Sequence, residues 1–247
     1  MGQAQTKPQF TVLNSAQAEE QLRRNNELDN YDTACAMCRI NRLAAQRIQP
    51  CAAPHGVEER IQSVRLPAWL AADLANTTVK VAFFYEGLPH TREPDTIWLP
   101  QSMPDFETTF IHELIHISQR LWPERWAAAY KATWNMTPTE MPPLSHRRFN
   151  PDTFKSPAFK WTAPSGATWT PILVFMNPDA PKLNSVRLLF VNERGGWQST
   201  PPTEWVQRFG TADPSMCEHP HEMAAYQLAS GDLKNKDLLI YLERTSR

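Results

Sequence analysis

The apolar positions change period along the chain, and each period predicts an element. Thr78-Val79-Lys80-Val81-Ala82-Phe83-Phe84-Tyr85 is dense in β-branched and aromatic residues, which predicts a strand. Gly87-Leu88-Pro89 marks a turn, and Asp95-Thr96-Ile97-Trp98-Leu99-Pro100 predicts a second, shorter strand stopped by its proline. The period then lengthens. Phe110, Leu114, Ile117 and Leu121 recur at helical spacing, so a helix with one buried stripe is expected. Ser102 and Asp105 compete as its N-cap, Pro123 ends it, and residues 124–134 read as a further helix.

On either side the pattern is weaker. Residues 1–15 are expected to be disordered, and residues 16–48 are helical and charged, interrupted at Asn30-Tyr31-Asp32. Residues 66–74 suggest a short helix with Pro67 near its start. Residues 138–181 are Pro-rich; strands are expected over 170–176 and 186–191, the second followed by the turn Asn192-Glu193-Arg194-Gly195-Gly196. Helices are expected over 221–229 and 233–242. The order predicts an α+β fold: a small mixed sheet, a central helix, a β-rich Pro-containing insertion at about 138–215 and a C-terminal return helix. Residues 1–60 form an N-terminal helical, partly disordered region ahead of a main domain over 61–247.

Composition narrows the function classes. The chain has 247 residues, of which 41% are hydrophobic, enough for a real core. Its 25 Lys+Arg balance 26 Asp+Glu, so no basic field favours nucleic acid. No apolar run approaches the roughly 18–20 residues of a membrane span, and the polar start MGQAQTKPQF does not read as a secretory signal. A cytoplasmic location with reduced thiols is expected. Gly2 with Thr6 fits the N-myristoylation pattern, which would allow peripheral membrane attachment.

The central helix carries the chemistry. In His112-Glu113-Leu114-Ile115-His116 the two histidines fall one turn apart on the same face, so both imidazoles can reach one divalent cation. Glu113 then lies beside the ion, where a general base belongs. A third ligand is expected from the cluster Cys217-Glu218-His219-Pro220-His221-Glu222. Pro220 reads as a helix start that puts Glu222 in the first turn. Glu222 is favoured, with His219 and His221 as rivals and Cys217 behind them. Tyr226, Tyr130 and His219 are candidate oxyanion donors, and Tyr226, one turn beyond Glu222, has the best case.

His112-Glu113-Leu114-Ile115-His116 resembles the zincin signature, and a helical Glu222 downstream resembles the gluzincin arrangement. The resemblance implies a zinc metallopeptidase acting on peptide or protein substrates. His112, His116 and Glu222 would hold the zinc, Glu113 would be general base towards zinc-activated water, and Tyr226 would assist. It also implies that the strand before the active helix, residues 96–99, lies at the cleft edge and pairs with substrate. Most of the tryptophans read as core or loop anchors, and Trp98, just upstream of the active helix, is the one to test for substrate contact. The alternatives are a catalytically inactive zincin-like binding module and a zinc hydrolase of a non-peptide bond; retention of Glu113 favours an enzyme. A second, structural zinc at Cys35, Cys38, Cys51 and His55 has finger-like spacing, although buried or free thiols are the simpler expectation.

Overall fold

The computed structural model describes residues 8–44, 48–210, 213–231 and 236–246. The amino-terminal half runs β1 (Gln9–Val12), α1 (Ser15–Asp29), α2 (Tyr31–Met37), α3 (Arg39–Ala44), β2 (Pro50–Cys51), α4 (Val57–Ser63), α5 (Ala68–Asp73), β3 (Thr78–Phe84), β4 (His90–Arg92), β5 (Thr96–Pro100), α6 (Phe106–Leu121) and α7 (Pro123–Trp134). The rest runs β6 (Met136–Thr139), β7 (Ala158–Thr162), β8 (Thr168–Phe175), β9 (Val186–Asn192), β10 (Trp197–Gln198), α8 (Thr203–Phe209), α9 (Pro214–Cys217), α10 (Pro220–Ser230) and α11 (Lys236–Thr245). The fold is α+β, with two sheets.

The first sheet is mixed, in the order β1-β3-β5-β4, with β2 paired to the end of β3. β1 and β5 flank β3 in parallel, and β4 is antiparallel to β5 at the edge. Strand alternation explains why β3 reads as a continuous apolar run. Val79, Val81 and Phe83 face the main core with Ile97 and Leu99, whereas Ala82, Phe84 and Trp98 face α1. Both faces of the sheet are covered, α6 lying on one and α1 on the other. The second sheet is an antiparallel meander, β10-β9-β8-β7-β6, which accounts for the β-rich insertion.

Several boundaries differ from the sequence reading. Residues 9–12 are not disordered, because β1 finds a parallel partner in β3, and this pairing crosses the boundary expected near residue 60. Residues 96–99 are not an edge strand: β5 lies between β3 and β4, with every residue buried, and β4 takes the edge. Asp105, not Ser102, caps α6, its side chain accepting from Thr108 N–H at 3.3 Å. Phe110, Leu114 and Ile117 are fully buried as expected, but Leu121 is 38% exposed, since the helix is ending there. Gly2 lies outside the described residues.

The N-terminal helices are fastened to the sheet by polar contacts. Buried Asn25 on α1 accepts from Trp98 Nε1 at 3.1 Å and donates to Thr96 Oγ1 and to Glu93 O. Arg92 on β4 is fully buried and bonds Asp29 at 2.6 and 2.9 Å, with Asp32 behind it. These pairs set α1 and α2 against the edge of the sheet and so build one wall of the cleft described next.

Candidate metal centre

α6 and α10 pack against each other and bring the site together. Pro220 at the first turn and His219 as N-cap start α10, which places Glu222 one turn in. The small residues Ala224 and Ala225 are fully buried, which lets the helices approach. His112 and His116 project from α6 with their Nε2 atoms 3.0 Å apart. Glu222 Oε2 lies 3.4 Å from His112 Nε2, and Glu222 Oε1 lies 3.5 Å from His116 Nε2. Ligands of a tetrahedral zinc at 2.0–2.1 Å stand about 3.3 Å from one another, so this donor set fits such an ion. The residues expected as ligands are thus brought together in space.

Hydrogen bonds fix which nitrogen of His116 is available. Gln119 Nε2 donates to His221 O at 3.0 Å and to Tyr130 Oη at 3.1 Å, which orients the amide. Gln119 Oε1 therefore faces His116 Nδ1 at 2.7 Å, and an amide oxygen can only accept. Nδ1 carries the proton, which leaves the Nε2 lone pair of the neutral ring directed at His112 and Glu222, as a metal ligand requires. When the donors share no cation, the Glu222 carboxylate and its acidic neighbours outweigh burial and hold the His116 imidazolium up to about 10. Glu222 is itself pulled well below the usual carboxylate range: burial opposes this, but the two histidines prevail.

The rival ligands are committed elsewhere. His219 Nδ1 accepts from His221 N–H at 3.1 Å, and its Nε2 donates to Pro157 O at 2.9 Å, so both ring nitrogens serve the start of α10. His221 Nδ1 accepts from Tyr130 Oη at 3.0 Å. Tyr130 is fully buried within this same chain of bonds, where it supports the site instead of facing a substrate. Cys217 is buried, and burial pushes its thiol up to about 12. Tyr226 is different. It lines the cleft, 36% exposed, with its ring edge-on to His112 at 4.5 Å.

Glu113 is 2% exposed, and its Oε2 has no hydrogen-bond partner. Burial pushes its carboxyl well above the usual range, helped by Asp152 and Glu222 against the pull of His116 and Arg120. An unpaired buried carboxylate oxygen is costly unless something uses it.

Several functional positions were not legible in the sequence. Asn150 donates from Nδ2 to Glu222 Oε1 at 2.9 Å and to Glu218 Oε1 at 2.7 Å, and Arg148 holds Glu218 at 2.6 Å. Asp152 offers a carboxylate oxygen within 4.8 Å of Glu113 and His116. Arg148, Asn150 and Asp152 alternate along one Pro-containing segment, and that alternation of polar residues is the signal that could have flagged them. Gln119 stands three residues after His116, one turn on along α6.

The structure also bears on Trp98 and on the N-terminal cysteines. Trp98 is fully buried with its indole N–H given to Asn25, so it cannot meet a substrate. Cys35, Cys38, Cys51 and His55 form no common ligand group among the described residues. Cys51 is fixed in β2 against β3, Cys38 receives Asn41 Nδ2 at 3.3 Å, and His55 is exposed in a turn.

The site opens into a cleft of about 890 Å³. Leu88, His90, Thr109, His112 and Glu113 line it, together with Tyr31 and Cys35 of α2. No helix among the described residues is long and apolar enough to cross a membrane. Comparison with protein-family models, curated proteins and solved structures finds no match.

Proposed function

We propose that this chain is a zinc-dependent metallopeptidase of zincin type. One observation carries the reading: the Nε2 atoms of His112 and His116 and the carboxylate of Glu222 converge within 3.5 Å, beside a cleft that His112 and Glu222 line. The mixed sheet with an antiparallel edge strand beside α6 supports it. Two imidazoles and one carboxylate would hold the metal and leave further positions for water and substrate. A zinc ion held there supplies Lewis acidity, which acidifies water and polarises a carbonyl.

The chain's own residues do the rest. Glu113, with one oxygen unpaired beside the cleft, would be held ionised by the charge of a bound cation; it takes the proton of the attacking water and hands it to the leaving amine. Gln119 keeps His116 in its ligating tautomer, and Asn150 keeps Glu222 Oε1 turned towards the histidines. Tyr226, against His112 on the cleft wall, is the donor for the developing oxyanion.

Metal content and peptide turnover of purified variants test this together. The protein should carry one zinc, and replacing His112, His116 or Glu222 by Ala should remove it. Glu113→Gln should keep the zinc and lower turnover by a factor of about 10² or more. A Glu113→Gln protein that retained full activity would refute the role of the base.

A further inference from the structure

Of the three residues of β4, Thr91 is the one whose backbone groups face away from β5, and both are already occupied. Thr91 N–H and Thr91 Oγ1 each donate to Asp152 Oδ1 at 2.6 Å. Thr91 O accepts from Arg120 Nη2 at 3.1 Å, and the same Nη2 reaches Asp152 O at 3.5 Å. An extended peptide that adds to a sheet edge must bond those same groups. Here a carboxylate takes the place of an incoming carbonyl, and a guanidinium takes that of an incoming amide.

The segment that carries Asp152 is anchored on several sides. Asp152 N–H bonds Asn150 Oδ1 at 3.0 Å, and Asn150 is tied to Glu218 and Glu222. Asn41 on α3 pins the neighbouring backbone, donating to Arg147 O at 2.9 Å and accepting from Phe149 N–H at 2.8 Å. Tyr31 Oη bonds Phe149 O at 3.3 Å, and Lys155 bonds Leu28 O at the end of α1. Residues 147–155 and α1–α3 therefore form one stapled roof over the edge strand. Displacing Asp152 would disturb a holder of Glu222, so the blockage is part of the site's construction.

What remains is the 890 Å³ cleft beneath the roof. That volume suits a small ligand, since such sites span roughly 300–1,000 Å³. We propose that the cleft takes a short peptide, held end-on against His112, His116 and Glu222, and excludes an extended polypeptide laid along β4. This rests on the zinc reading above and narrows its substrate class.

The test uses the full zinc-loaded chain with three probes, acetohydroxamate, a dipeptidyl hydroxamate short enough for the cleft and an extended peptidyl hydroxamate, compared by calorimetry. Amide exchange at Thr91 is followed alongside. Lengthening the dipeptidyl probe to the extended one should tighten binding by less than about three-fold, because no edge is free to pair with the added residues. The Thr91 amide should be protected before any probe is added. Tightening beyond about three-fold on that lengthening, or a Thr91 amide that becomes protected only when the extended probe binds, would overturn the proposal. Absence of acetohydroxamate binding would overturn the zinc reading and this proposal with it. Intact acetohydroxamate binding beside an extended probe more than about three-fold tighter than the dipeptidyl one overturns this proposal alone.

Discussion

At the scale of single residues, the bond from His116 Nδ1 to Gln119 Oε1 at 2.7 Å decides how well the centre can hold a metal. Without it the imidazole is free to rotate and to place its proton on Nε2. Gln119→Leu should raise the zinc dissociation constant by about 10–100-fold, read by chelator competition, because it removes a bond that orients a ligand. Unchanged affinity would mean that packing alone orients the ring. His112, Glu113 and His116 were legible in the sequence because helical periodicity is local: residues four apart share a face whatever the rest of the chain does. Glu222 was legible through Pro220 and the helix start. Asn150, Asp152 and Glu218 were not, because they sit outside a periodic element and act through contacts that only the tertiary fold creates.

At the scale of elements, the sheet shows where local pattern stops. β3 and β5 were readable from their β-branched and aromatic content, but their order was not. The three residues of β4, His90-Thr91-Arg92, are too few to show alternation, so the edge position went to residues 96–99 instead. For the same reason β1 was missed: four residues gain strand character from their pairing with β3, not from composition. α1 falls in the stretch that reads as helical and charged, yet Asn25 is fully buried and bonds β5. Replacing Asn25 by Ala should destabilise the protein by about 1–3 kcal/mol in urea unfolding, since it strands the buried Trp98 N–H. Zinc stoichiometry should be unchanged. A loss below a few tenths of a kcal/mol would show that α1 contributes little to holding the sheet.

At the scale of the whole molecule, the centre joins parts far apart in sequence: α6, the segment around Asn150, and α10. Its burial has a cost that pH exposes. His219 is buried and neutral, and burial lowers its pKa from 6.5 to about 4. Between those values the unfolded chain binds a proton at this residue that the folded chain refuses, so the His219 contribution to stability falls as pH falls from about 6.5 towards 4. His219 alone accounts for about 3 kcal/mol of that loss, and the deeper depression of His221 acts in the same direction. Buried Glu218, pushed up to about 7, and Glu113 take up protons on folding in the same window and act in the opposite direction. The His219 contribution is therefore read as the difference in the slope of unfolding stability against pH between wild type and His219→Gln; an unchanged slope would remove His219 from the account.

The central claim is that two imidazoles and one carboxylate hold a zinc ion, and X-ray absorption at the zinc edge of the purified protein tests it most directly. The account predicts nitrogen and oxygen scatterers at about 2.0–2.1 Å with the outer-shell pattern of two imidazoles. Sulfur at about 2.3 Å, or a protein that takes up no stoichiometric zinc, would contradict it.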